Sequence, residues 1–264
     1  MNGQPSILQK IFEKKKIRVD QAKRGFGYEE FVRRAKSFRK DRTKFRFSSA
    51  FSDSSKINII AEIKRASPSK GMINDLFSVD DVARDYQKFG AAAISVLTEE
   101  DFFKGRIEDL ITARNLTDLP ILRKDFVFDE FQVYESALIG ADAILLIAAM
   151  LNDEEIQRLY SLAESLGLDV LIETHNFMEL ERAAGLGAKL IGVNNRDLHT
   201  FEVSLDVSRN LVKKKPDNAL FICESGLSRK EDLIEMQSLG FDGFLIGESL
   251  MKANNIGEAF ASLL

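Results

Sequence analysis

The chain has 264 residues, 45% of them hydrophobic and 30% charged, with 37 Lys+Arg against 41 Asp+Glu and a net charge of −4. That supplies enough apolar material for one large or two small domains, and it argues against disorder and against nucleic acid as the main partner. No apolar run reaches the about 20 residues that cross a bilayer, and the single cysteine, Cys223, forms no intrachain disulfide, so a cytoplasmic protein without membrane or signal segment is expected.

Residues 1–50 are rich in Lys and Arg, carry Phe26, Phe31, Phe38, Phe45 and Phe47, and contain no strand-like run. Apolar positions at near-helical spacing (Ile7, Leu8, Ile11, Phe12; Phe31, Val32, Ala35, Phe38) predict amphipathic helices over Ile7–Lys16 and Tyr28–Lys40. They read as an N-terminal extension docked on a main body that spans 51–264.

From Ile57 onward, short apolar runs alternate with amphipathic stretches. The runs are IIAEI (59–63), AAISVLT (92–98), PILRKD (120–125), AILLIAA (143–149), DVLIET (169–174), LIGVNN (190–195), LFICESG (220–226) and GFLIGES (243–249). Ser78 with Asp81, Asn152 with Glu155, and Ser228 with Glu231 have the spacing of helix caps, and Gly90, Gly140, Gly167, Gly187 and Gly240 stand where helices should stop. Eight β–α units predict an α/β fold, a (β/α)8 TIM barrel with an N-terminal helical extension. A dinucleotide-binding fold is not expected, because Gly185-Leu186-Gly187 precedes a strand and Gly25-Phe26-Gly27 follows none.

Strands buried on both faces should be apolar, yet charges collect at their C-terminal ends: Glu62 and Lys64 on the first, Lys124 on the third, Glu173 on the fifth, Asn194 and Arg196 at the sixth. That rim is where a barrel builds its active site. Side chains two apart share a face, so Lys124 follows Leu122 and Glu173 follows Leu171, and both face the mouth if the leucines point inward. A lysine and a glutamate converging from different strands suit acid–base chemistry. Strand seven ends Glu224-Ser225-Gly226 and strand eight ends Ile246-Gly247-Glu248-Ser249, the two places where barrels commonly bind phosphate.

These residues carry a pattern. The segment IIAEIKRASPSKG (59–71) resembles the signature of indole-3-glycerol-phosphate synthase, and SVLTEEDFFKG (95–105), LRKDF (122–126), GADAILLIAAML (140–151), LIETH (171–175), IGVNNRDL (191–198), ESG (224–226) and FLIGESLM (244–251) continue the likeness in the family's order. The resemblance implies a decarboxylating, dehydrating ring closure of 1-(2-carboxyphenylamino)-1-deoxyribulose 5-phosphate, with no metal or organic cofactor. It implies Lys124 as general acid, Glu173 as general base, and Lys64 as a holder of the substrate carboxylate or phosphate that shares in acid chemistry. Glu62 would orient a lysine, and Asn194 would hydrogen-bond the substrate near the reacting carbons, with Arg196 nearby. Ser67 and Pro68 would belong to a covering loop, while Phe103, Phe126 and Leu145 would line the aromatic pocket. Phosphate would sit on the amides of Gly226, Gly247 and Glu248 with the Ser225 hydroxyl added, the Glu248 carboxylate turned outward. The implied partner is a phosphorylated small molecule, with no nucleic acid and no membrane. Tryptophan-pathway enzymes as partners, and monomer or homodimer, stay open.

The remaining singles read blandly. His175 is expected to bond a loop, with tuning of Glu173 as its other reading; His199 lies in a polar loop; Cys223 is a small core residue; and Lys213-Lys214-Lys215 is a solvated helix end. Two histidines without a ligand-spaced carboxylate make no metal site. Two rival functions exist. A phosphoribosylanthranilate isomerase would need a cysteine–aspartate pair, and Cys223 is on the wrong strand; a binding-only barrel would have lost its acid–base pair.

Overall fold

The computed structural model describes residues 6–25 and 27–264, so Phe26 and the turn read through it lie outside the described residues. Eight parallel strands close into a barrel: β1 (Ile59–Ile63), β2 (Ala93–Leu97), β3 (Ile121–Lys124), β4 (Ala143–Ile147), β5 (Asp169–Thr174), β6 (Leu190–Asn194), β7 (Leu220–Glu224) and β8 (Gly243–Ile246). Each lies within its predicted run, and β1 pairs with both β2 and β8 to complete the ring. Alternate residues divide between two cores. Ile60, Leu122, Leu145, Leu171, Ile222 and Leu245 fill the barrel, whereas Ile59, Ile121, Ile144, Ile172, Val193 and Cys223 face the surrounding helices. Burying a leucine such as Leu122 or Leu171 contributes on the order of 2 kcal/mol, and the period of two then fixes where each strand-end residue points.

The N-terminal segment closes both ends of this barrel. Helix α1 (Ile7–Arg24) lays Ile7, Leu8 and Ile11 against the mouth, and α3 (Arg46–Ser49) places Phe47 beneath the strands with Phe51, the two rings edge to face at 5.3 Å. Between them α2 (Tyr28–Lys40) stacks Phe31 on Phe131 at 4.7 Å.

Several local expectations needed correction. Helix α1 runs eight residues past Lys16 because its buried stripe continues through Lys15 to Val19. A lysine inside that stripe, bonded to Asp125 at 2.8 Å and Glu100 at 2.9 Å, interrupts the apolar period that a sequence reading follows. On α2 the inward position is taken by Arg39, which donates to the carbonyls of Leu166, Ala141 and Gly167, so Phe38 stays exposed under Arg42. Ser78 and Asn152 cap their helices as read, but the helix Lys230–Leu239 starts one residue later than the Ser228–Glu231 reading. Asp232 there accepts from the backbone of Arg229 at 3.2 Å. Lys215 is no solvated end, since its Nζ reaches Asp242 at 2.6 Å and the Gly240 carbonyl at 2.7 Å.

Candidate active site

Strand parity brings Lys124, Glu173 and Glu224 to one point at the C-terminal mouth. Leu122, Leu171 and Ile222 point into the barrel, and so do the charged residues two further along. Lys124 Nζ donates to Glu173 Oε2 at 2.6 Å and to Glu224 Oε2 at 2.9 Å. Glu173 Oε1 accepts from Asn194 Nδ2 at 3.1 Å, one strand further round. Glu224 fits because Gly192 of β6, paired with Glu173 on one side and Ile222 on the other, carries no side chain, and any Cβ there would collide with Glu224 Oε1. On the far side of the mouth Lys64 Nζ lies 2.5 Å from Glu62 Oε1. Gly247 gives Glu62 its room, since a Cβ there would meet that carboxyl.

Burial and charge work against each other here. Burial disfavours the Lys124 ammonium, but Glu173 and Glu224 outweigh it and hold the lysine protonated well above its usual range. Glu173 is likewise penalised by burial, and the opposing charges of Lys124 and His175 outweigh that and keep it ionised below the usual carboxylate range. Glu224 has the reverse balance: burial, helped by repulsion from Glu173, pushes it up to about 7 against the pull of Lys124. One ammonium therefore sits between a carboxylate that is charged in the resting site and one held near neutrality between its two forms.

The cluster forms the floor of a cavity of about 630 Å³. Phe103 and Phe126, ring centroids 6.0 Å apart, form an apolar wall with Leu145. Ser67 and Pro68 line the cavity beside this wall, the Ala66 N–H donating to the Phe103 carbonyl at 3.2 Å. They stand not in a plain turn but in a small hairpin, in which Ala66–Ser67 pairs with Gly71–Met72. Arg196 also lines the cavity, its backbone N–H bonded to Asn194 Oδ1 at 3.0 Å and a guanidinium nitrogen bonded to the Phe201 carbonyl at 3.2 Å.

At the other end stand Ser225, Gly226, Gly247 and Glu248. Ser225 and Gly226 both have positive φ, 65° and 83°, so the chain turns sharply outward after β7, and a Cβ on Gly226 would press on Val203 at 2.7 Å. The next helix after β7 begins only at Lys230, so a helix N-terminus adjoins this end only after β8, where Gly247 precedes the short helix Glu248–Lys252. The Glu248 carboxylate is drawn aside to Lys252 Nζ at 2.7 Å.

All fifteen candidate residues thus border one cavity. The sequence reading missed Glu224 as a member of the charged cluster. The parity that located Glu173 applied to it equally, and the Ser-Gly that follows drew the reading to phosphate. It also missed Ser249, whose buried hydroxyl has no hydrogen-bond partner among the described residues, and the lining lysines Lys70 and Lys252. His175 is not bonded to a loop alone: its Nε2 lies 3.3 Å from Glu173 Oε1 and its Nδ1 3.1 Å from Glu179 Oε2. Cys223 faces away from the cavity toward Ser208 and Asn195, which takes it out of any reaction there, and burial raises its thiol to about 11, so it stays protonated.

Comparison with known proteins gives the fold and the family. Two solved structures share the fold at low identity: thiamine phosphate pyrophosphorylase from Pyrococcus furiosus (TM-score 0.58, 19% identity, 78% of this chain and 93% of that one) and a 3-hexulose-6-phosphate synthase (TM-score 0.60, 13% identity, 78% and 98%). Among sequences, the indole-3-glycerol phosphate synthase of Carboxydothermus hydrogenoformans is 42% identical over 262 residues, 98% of this chain and 99% of the relative. That of Lachnoclostridium phytofermentans is 44% identical over 259 residues, 94% and 95% of the two chains. The sequence model of indole-3-glycerol phosphate synthase matches residues 8–263, and the chain belongs to that family.

Proposed function

We propose that the chain closes the indole ring of 1-(2-carboxyphenylamino)-1-deoxyribulose 5-phosphate, releasing carbon dioxide and water, with Lys124 as general acid and Glu173 as general base. Membership of the family makes it a carboxy-lyase of tryptophan biosynthesis. The observation that carries the division of roles is the contact of Lys124 Nζ with Glu173 Oε2 at 2.6 Å, at the base of a cavity with an apolar wall and a glycine-bordered opposite end.

In the first step the ring carbon bearing the carboxylate attacks the ribulose carbonyl, and the oxygen gains a proton from the Lys124 ammonium. Loss of carbon dioxide then returns the bonding pair to the ring. In the second step the new hydroxyl leaves as water after protonation, and a proton is removed from the adjacent carbon. Glu173 is the acceptor in this reading. Its Oε2 becomes free when Lys124 turns to the substrate, while Asn194 keeps Oε1 in place. Glu62 serves Lys64, not Lys124, so Lys64 is the cation for the substrate carboxylate or phosphate and the second proton donor near it. Arg196 borders the same region.

Phe103, Phe126 and Leu145 would take the carboxyphenyl ring, and the Ser67–Pro68 hairpin would cover it and exclude water. The phosphate would rest on the amides of Gly226, Gly247 and Glu248 with the Ser225 hydroxyl. The pairing of the Glu248 carboxylate with Lys252 supports this, because it removes a repelling charge from the anion. The same reading takes residues 1–50 as an extension of a 51–264 barrel and places the enzyme in the cytoplasm. The test is direct: purified protein given this substrate in the presence of a chelator should generate indole fluorescence. Absence of fluorescence from folded protein contradicts the assignment.

A further inference from the structure

Behind the cavity wall, a chain of ionisable side chains runs outward from the base and is not used by the steps above. Glu173 stands one residue before the end of β5, and His175, just past that end, does not border the cavity. Its ring is set between two carboxylates: Nδ1 is hydrogen-bonded to Glu179 Oε2 at 3.1 Å, and Nε2 lies 3.3 Å from Glu173 Oε1, within ion-pair distance but without hydrogen-bond alignment. Glu179 is itself immobilised. It accepts from the His175 backbone N–H at 2.8 Å and from Asn176 Nδ2 at 2.6 Å, in the first turn of the helix Phe177–Gly185 that Asn176 caps.

We propose that His175 is a positioning residue for the base: a doubly protonated imidazole, anchored by Glu179, that fixes Glu173 through Oε1 and leaves Oε2 to carry the proton. The inference rests on the proposed role of Glu173. A carboxylate only accepts hydrogen bonds, and a neutral imidazole has one donor, so a neutral ring would turn a lone pair toward one of the two carboxylates. Protonation of both nitrogens turns a positively charged N–H edge toward each carboxylate. Burial opposes this charge, yet the two neighbouring carboxylates, Glu173 and Glu179, outweigh it and push the ring's pKa up to about 10.

The other groups facing Glu173 are Lys124 from β3 and Asn194 from β6, with Glu224 of β7 across the lysine. When Lys124 turns to the substrate carbonyl, Asn194 supplies no charge, and His175 becomes the one remaining cation among these neighbours. It therefore keeps Glu173 ionised until the proton is to be taken, and it makes Oε2 the freer oxygen.

The experiment has two arms. The chain contains 2 histidines, so ring nitrogen NMR of the whole protein assigns His175 by comparison with His199→Gln. The expected result is an imidazolium at pH 7.5, lost or titrating at lower pH in Glu179→Gln. A neutral His175 ring at that pH overturns the proposal, and this readout does not depend on turnover.

In the second arm, the kcat profile against pH is measured for wild type, His175→Gln and His175→Ala. Loss of the imidazolium raises the Glu173 pKa, so the acid limb of kcat should move up by about one pH unit in both variants. The alanine variant should lose about tenfold in kcat. KM should change less than about twofold, because the ring does not border the substrate cavity. Glutamine, which keeps the bulk and a polar group, should recover part of kcat but not the limb. A variant with the wild-type limb and kcat contradicts the proposal. Should alanine fail to fold, the glutamine profile and the NMR arm decide. Loss of turnover in the wild type would instead strike the proposed function and leave the NMR result standing.

Discussion

Three consecutive residues at the end of one strand, Arg123 to Asp125, carry two charge networks that differ in one respect. Arg123 turns outward from β3, and the Asp125 carboxylate binds partners outside the barrel although the residue borders the cavity, whereas Lys124 turns inward to the cavity. On the outside, Asp125 accepts from Thr98 Oγ1 at 2.6 Å, pairs with Lys15 of α1 at 2.8 Å and takes Arg123 at 3.1 Å. Arg123 also reaches Glu135 at 2.8 Å and Ser136 at 3.1 Å. That network is completed by its own partners, and it ties the N-terminal helix and the helix Glu130–Leu138 to the barrel. On the inside, Lys124 holds two carboxylates at the base of a cavity wide enough for a small molecule. Glu224 Oε1 has no hydrogen-bond partner among the described residues there. The same residue types thus serve stability where their neighbours complete them, and chemistry where space is left for a substrate.

Substitutions on the two sides should separate accordingly. The largest effect belongs to the inside: Glu173→Gln should lower kcat about 10³-fold while thermal unfolding moves little, measured by steady-state fluorescence and calorimetry. Comparable losses in both would erase the distinction. On the outside, Asp125→Ala leaves Arg123 and Lys15, 1% and 3% exposed, short of a shared counter-charge. It should cost about 3 kcal/mol in denaturant unfolding. Any loss of kcat in the protein that stays folded should be the smaller effect.

Glu224 gives an intermediate case, read through pH. Its folded pKa lies above the ordinary carboxylate value, so its contribution to stability is fully present below about pH 4.5 and is lost as pH rises through about 7. The melting temperature of wild type relative to Glu224→Gln should fall between pH 5 and 8. A difference independent of pH would contradict the raised value. The smallest effect comes from the surface, where Arg33 and Glu30 pair one turn apart with 77% and 53% of their side chains exposed. Arg33→Ala should change stability by less than about 0.5 kcal/mol and leave activity alone.

What could be read from the sequence follows the same division. The strands and the inward turn of Lys124 and Glu173 were legible because a period of two is local and the runs were apolar up to their charged ends. The Lys15–Asp125 and Lys124–Glu224 contacts join residues about 100 positions apart, and no local pattern announces them. The hairpin at Ala66–Met72 was hidden because Ser-Pro-Ser-Lys-Gly reads equally as a turn. His175 was read first as a loop partner because its contact with Glu179 arises only when the helix Phe177–Gly185 folds back by one turn.

The central claim is that the ammonium on β3 performs acid catalysis and is not a structural counter-ion. Lys124→Ala separates the two, with turnover measured by indole fluorescence and phosphate-end affinity measured by calorimetry with indole-3-glycerol phosphate. The account predicts turnover near background with product affinity within a few-fold of wild type. Full turnover in that folded variant would contradict it.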